Sequence, residues 1–79
     1  MNAFDISRVD FDKGDGLVCA VVQDSLTLQV LMVAWMDRGA LEETLHSGQA
    51  TFFSRSRRQR WRKGETSGHT LTVEDIALD

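Results

Sequence analysis

Between Ser54 and His69 the chain reads SRSRRQRWRKGETSGH, and six of its nine Lys and Arg residues fall within nine consecutive positions there. Arg55, Arg57, Arg58, Arg60, Arg62 and Lys63 repel one another, and they lower the stability of any fold that gathers them unless an anion sits among them. Trp61, in their midst, offers a flat apolar face on which a base could stack. The run ends abruptly in a small, hydroxyl-rich glycine loop, and chemistry is expected here first.

The remaining sequence bounds what that anion can be. A chain of 79 residues is one small domain at most, and a single core of that size barely offsets its conformational entropy, so help from a partner, a metal or further sequence is expected. Outside the basic run, three Lys and Arg residues face all twelve Asp and Glu, for a net charge of -3 overall. That balance is poor for gripping a long polyanion and better suited to a small phosphate ligand, so nucleic acid is disfavoured as a partner. A lone cysteine, Cys19, rules out an internal disulfide, and its place in the apolar run Leu17 to Val22 points to a reduced, intracellular protein and to a core residue. The acidic lead-in MNAFDISRVDFDKGDG does not resemble an export signal, and no apolar run approaches the length of a membrane span. A cytoplasmic location follows as the expectation.

The apolar pattern predicts a strand over Leu17 to Val22, a turn at Asp24 and Ser25, and a second strand from Leu26 to Met36 with Leu26, Leu28, Val30 and Met32 on one face. Asp37 is placed to cap a short helix whose buried face is Ala40, Leu41, Thr44 and Leu45 and whose stop is Gly48; Gly39, in its first turn, is a weak helix former. A third strand, Ala50 to Phe53, delivers the chain into the basic run. A fourth is predicted from Thr70, with a bulge at Glu74 and Asp75 because the phase slips between Val73 and Ile76. This order reads as an α+β fold with a mainly antiparallel twisted sheet and one short helix, a single domain over residues 1–79. Trp35, Phe52 and Phe53 read as core.

In GETSG, Gly64 to Gly68, glycines at both ends let the backbone approach a ligand, while Thr66 and Ser67 offer hydroxyls and N–H groups to phosphate oxygens and Glu65 could accept from ribose hydroxyls. The spacing is not that of a nucleoside triphosphate loop. An exposed turn beside a solvated charge run explains the composition equally well. His69 is a further candidate, although a lone histidine is more often structural; His46 is explained by the C-terminal end of the helix. Asp79 is either a metal ligand or a polar terminus, and the sequence alone favours the latter.

VLMVAWMD at Val30 to Asp37, the AL at Ala40 and Leu41, FFSRSR at Phe52 to Arg57, WRKGETSG at Trp61 to Gly68 and the final IALD together resemble one family, phosphoribosyl-AMP cyclohydrolase of histidine biosynthesis. FDKGDGL at Phe11 to Leu17 is similar as well. The resemblance implies a homodimeric, zinc- and magnesium-dependent enzyme with sites at the subunit interface. It would open the adenine ring of phosphoribosyl-AMP at the N1–C6 bond with a metal-activated water. It also implies substrate binding by Arg55, Arg57, Trp61, Arg62, Lys63, Glu65, Thr66, Ser67 and Gly68, with Asp79 matching the opening position of the magnesium motif. The family's zinc ligands and the segment expected to hold the general base fall beyond Asp79, so the zinc ligands are absent from this sequence. The chain is therefore expected to be the N-terminal portion, truncated where the metal motif begins, folded but without turnover alone, with its sheet completed across a dimer. Leu28, where the family commonly has a turn glycine, and Gly39, where it usually has a better helix former, are departures.

Two other classes fit some of the same residues. A small RNA-binding or regulatory module would use the Arg run and Trp61 on a single strand, with binding that falls steeply with salt. A structural interaction domain would pair the run with its own acidic surface.

Overall fold

A computed structural model describes residues 3–79; Met1 and Asn2, the start of the acidic lead-in, lie outside the described residues. Four strands and one helix follow two short 3-10 turns: β1 Leu17–Gln23, β2 Val30–Asp37, α1 Arg38–Ser47, β3 Thr51–Ser54 and β4 Gln59–Arg62. The α+β class, the antiparallel pairing and the single short helix agree with the sequence pattern. The pairing is divided between two hairpins, β1 with β2 and β3 with β4.

The first hairpin pairs Cys19 with Trp35 and Val21 with Val33. Strand alternation turns Val18, Ala20, Val22, Met32 and Ala34 toward the core and leaves Cys19, Val21, Leu31 and Val33 outward. Cys19 is thus exposed rather than buried, because the run is apolar on both faces and only one face is covered. The second strand also starts later than Leu26. Asp24 accepts from the N–H groups of Leu26 and Thr27 at 2.9 and 3.0 Å, and Leu28 takes a left-handed φ of 64°, so the turn that starts at Asp24 and Ser25 runs on to Gln29. These bonds from Thr27 and then Leu26 hold the Asp24 carboxyl below its usual range. The register slips opposite Val22 and Gln23, which breaks the single face expected for Leu26, Leu28, Val30 and Met32: Met32 packs inward while Val30 is exposed.

Helix α1 begins and ends as its sequence predicts. Asp37 Oδ1 accepts from the Ala40 N–H at 2.7 Å, and Gly48 closes the other end with φ 77°. Ala40, Leu41 and Thr44 are buried and join Val9, Phe11, Met36, Ala50 and Phe52, so the core lies between α1, the inner face of β2 and β3. Thr44 Oγ1 fastens the helix to β3: it accepts from the Thr51 N–H at 3.0 Å and lies 2.9 Å from the Ala40 carbonyl oxygen, to which it donates. Phe52 is core as expected, whereas Phe53 and Trp35 are half-buried.

The strand predicted from Thr70 is not formed. The chain pairs only at an isolated bridge, Gln49 with Thr72, flanked by bonds from Ala50 N–H to Leu71 O and from Val73 N–H to Gly48 O. Beyond Val73 the backbone leaves its partner, so the slip in phase is a departure from the ladder rather than a bulge. Leu71, Val73 and Ile76 still pack against the core. The fourth strand lies instead inside the basic run.

Candidate functional site

The basic run folds because β3 provides its partner. Phe52 pairs with Trp61, Phe53 with Arg60 and Ser54 with Gln59, across a turn at residues 55–58. Ser54 Oγ accepts from the Arg57 N–H at 3.2 Å, and Arg58 closes the turn in the left-handed region. Trp61 turns inward and packs its ring 5.0 Å from that of Phe52, which is completely buried. Alternation then sends Arg60 and Arg62 to the other face. Spreading the charges over a turn, one face of a strand and the residue that follows it eases their mutual repulsion.

The glycine loop follows directly. Gly64 and Gly68 both take positive φ, at 86° and 83°, and the Gly68 N–H donates to the Gly64 carbonyl at 2.7 Å. Gly64 is obligatory on a second count: a Cβ there would collide with the backbone of His69 and Thr70. Glu65 folds back on the strand end, accepting from the Arg62 N–H at 3.4 Å through Oε2, and Ser67 Oγ accepts from the His69 N–H at 3.2 Å.

One small cleft, about 40 Å³, lies between the hairpin and this loop; Ser54, Arg57, Gln59, Arg60, Trp61 and Glu65 line it. Of the residues expected from sequence, Arg57, Trp61 and Glu65 meet here. Thr66, Ser67, Gly68 and His69 lie exposed along the adjoining loop. Arg62 is exposed on β4, and the N–H of half-buried Lys63 donates to the Ala50 carbonyl. Arg55 goes elsewhere: its guanidinium sits 4.7 Å from the Trp35 ring centroid, against the outer side of β2. Ser54 and Gln59 enter the cleft without having been singled out, and Arg60 had been named only as part of the basic run. The alternation of QRWR was the available signal, masked by the charge of the run.

Arg60 makes the ion pair of the site, with Nε 3.2 Å from Asp37 Oδ1 and Nη2 3.3 Å from Oδ2. A larger hollow, about 300 Å³, lies away from this chemistry, between residues 3–8 and 76–78; Asp5 on its wall is held below the usual carboxylate range by the Ser7 hydroxyl and then the Ser7 N–H. It lacks the convergent cations and hydroxyls that an anion needs, so the smaller cleft is the stronger site.

No three His, Cys, Asp or Glu side chains come together as metal ligands among the described residues. Asp79 ends the chain exposed, and no strand carries it there. No helix among the described residues is long and apolar enough to cross a membrane.

Comparison with known proteins adds a second line of observation. A family model described as phosphoribosyl-AMP cyclohydrolase matches residues 32–79. The histidine biosynthesis bifunctional protein HisIE of Shewanella oneidensis is 55% identical over 75 residues, which is 95% of this chain and 35% of that protein. The phosphoribosyl-AMP cyclohydrolase of Bordetella petrii is 56% identical over 74 residues, covering 94% of this chain and 54% of the relative. A HisIE protein of Thermus thermophilus is 57% identical over 75 residues, or 35% of its length. The chain therefore spans from about a third to just over half the length of these relatives.

Proposed function

Because the chain belongs to the phosphoribosyl-AMP cyclohydrolase family, we propose that it carries the phosphate- and ribose-binding part of an enzyme that hydrolyses the N1–C6 bond of phosphoribosyl-AMP. The observation that carries this reading is the convergence of Ser54, Arg57, Trp61 and Glu65 on one cleft beside a glycine loop with two positive-φ turns. Arg57 supplies a cation at the cleft, and the exposed hydroxyls and N–H groups of Thr66 and Ser67 supply neutral donors to phosphate oxygens. Glu65, an acceptor-only group once ionised, suits sugar hydroxyls, and Trp61 forms the wall of the cleft. Arg62, Lys63, Gly68 and His69, neighbours of these residues along the chain, belong to the same proposal. Arg55 can join them only by leaving Trp35. At about 40 Å³ the cleft holds a few atoms, so the rest of a nucleotide would lie across the surface.

Zinc and magnesium belong to the reaction that the family implies, and the residues present do not fit a zinc site. Cys19 is exposed on the outer face of β1, and no group of three ligating side chains forms among the described residues. Asp79 alone is too little for either ion. What these residues do in this reading is bind and orient.

A homodimer also belongs to the proposal. Val21, Val30, Leu31 and Val33 are all about half exposed or more on the first hairpin, an apolar surface of the kind that association covers. Sedimentation velocity should give a dimer mass, and a monomer at all concentrations would contradict it.

Calorimetric titration with phosphoribosyl-AMP, AMP as competitor, at two salt concentrations tests the ligand. Saturable binding that prefers phosphoribosyl-AMP is expected. Binding indifferent to the nucleotide's structure and falling steeply with salt would favour a single-stranded RNA ligand instead.

A further inference from the structure

Asp37 serves two donors from distant parts of the chain. As the cap of α1 its Oδ1 accepts from the Ala40 N–H at 2.7 Å, and the same carboxylate receives the Arg60 fork, Nε on Oδ1 at 3.2 Å and Nη2 on Oδ2 at 3.3 Å. An arginine over the first turn of a helix is disfavoured by the helix dipole, so this carboxylate is what keeps it there. The space it fills is equally specific. A Cβ built on Gly39, the second residue of α1, would collide with Nε, Cζ and Nη2 of Arg60. The weakest helix former after proline thus stands where any side chain would push the guanidinium out.

We propose that Gly39, Asp37 and Arg60 form a latch that fastens β4 to the N-terminus of α1, and that Arg60 is a positioning residue of the candidate site rather than one of its anion ligands. The strand is then pinned on both faces. Trp61 anchors one against Phe52, and Arg60 anchors the other at the helix cap. Arg60 lines the cleft beside Arg57, but two of its donors and its charge are taken by Asp37. The latch stands on geometry alone; the positioning role rests on the proposed nucleotide reading.

Thermal melts of four proteins test the latch: the parent, Gly39→Ala, Arg60→Gln and the double variant. Alanine is the better helix former, so by propensity alone Gly39→Ala raises Tm. With the latch present it lowers Tm, by about 4 °C, and in the Arg60→Gln background the same substitution raises it. Any result in which the two signs agree overturns the latch, because Arg60 would then swing aside without loss. Should the double variant fail to fold, NMR of the arginine Nε–H groups decides: a slowly exchanging Arg60 signal is expected in the parent and absent in Asp37→Asn, which keeps the helix cap. A fast-exchanging Arg60 signal in the parent overturns the latch. Saturation with AMP is expected to move the Arg57 Nε–H signal and leave that of Arg60 in place. An equal shift of Arg60 makes it an anion ligand and overturns its positioning role. If AMP binds nowhere, the nucleotide reading and the positioning role fail together, while the latch is still judged by the signs of the melts.

Discussion

Gly64 carries the most constrained conformation in the candidate site. Its φ of 86° and the backbone of His69 and Thr70 behind it leave no place for a Cβ. Gly64→Ala is expected to cost about 2 kcal/mol or more of stability, measured by urea unfolding, and to remove AMP binding while the far-ultraviolet signal of α1 persists. Asp24 sets a second residue-scale expectation. Its carboxyl is held low by the turn, so the stability it contributes is present above the ordinary carboxylate range and is lost as pH falls through its lowered folded value. Melts of Asp24→Asn between pH 6 and pH 2, a window spanning the reference pKa, should show a shallower acid decline than the parent. Residue chemistry alone did not separate the arginines: Arg55 and Arg57 are two positions apart and read alike, yet one lies over Trp35 and the other beside the cleft. Only the position of β2, set twenty residues earlier, decides between them.

At the scale of elements, Thr44 joins α1 to β3 through one hydroxyl buried beside the Thr51 backbone. Thr44→Val keeps the shape and strands the Thr51 N–H, so a loss of about 1–3 kcal/mol in urea unfolding with an unchanged m value is expected. In the first hairpin, Leu28 holds a φ of 64° while two-thirds exposed, at 66%. Leu28→Gly should raise stability by about 0.5–1 kcal/mol, since relief of left-handed strain exceeds the added entropy of glycine. Only the family resemblance pointed to a turn glycine here; by pattern Leu28 reads as strand, because alternation of Leu26, Leu28 and Val30 imitates one. The helix was legible to the residue because cap, buried face and stop all lie within twelve positions. Strand β4 was not, because QRWR shows its period of two only once Phe52 and Ser54 stand opposite. The segment after Val73 misled in the opposite sense, being apolar enough for a strand without a ladder to join.

Across the whole molecule, burial is uneven. The core closes around Phe52 and α1, while the outer face of β1 and β2 and the hairpin tip, where Leu26 is 92% exposed, lie open. Composition foretold the shortage of core. It could not say which face would go uncovered, since both faces of Leu17 to Val22 are apolar. The basic hairpin, built on β3, is latched at the opposite end of β2 from the turn that carries Leu26. That arrangement makes the candidate site a formed surface of this chain. Residues 54–69 are proposed to bind a nucleotide phosphate, and chemical-shift mapping of a 15N-labelled chain with AMP is the decisive experiment. Saturable shifts should centre on Arg57, Trp61, Glu65, Thr66 and Ser67 and spare Val21 and Val33. Shifts spread over the outer face of the first hairpin, or none at all, would contradict it.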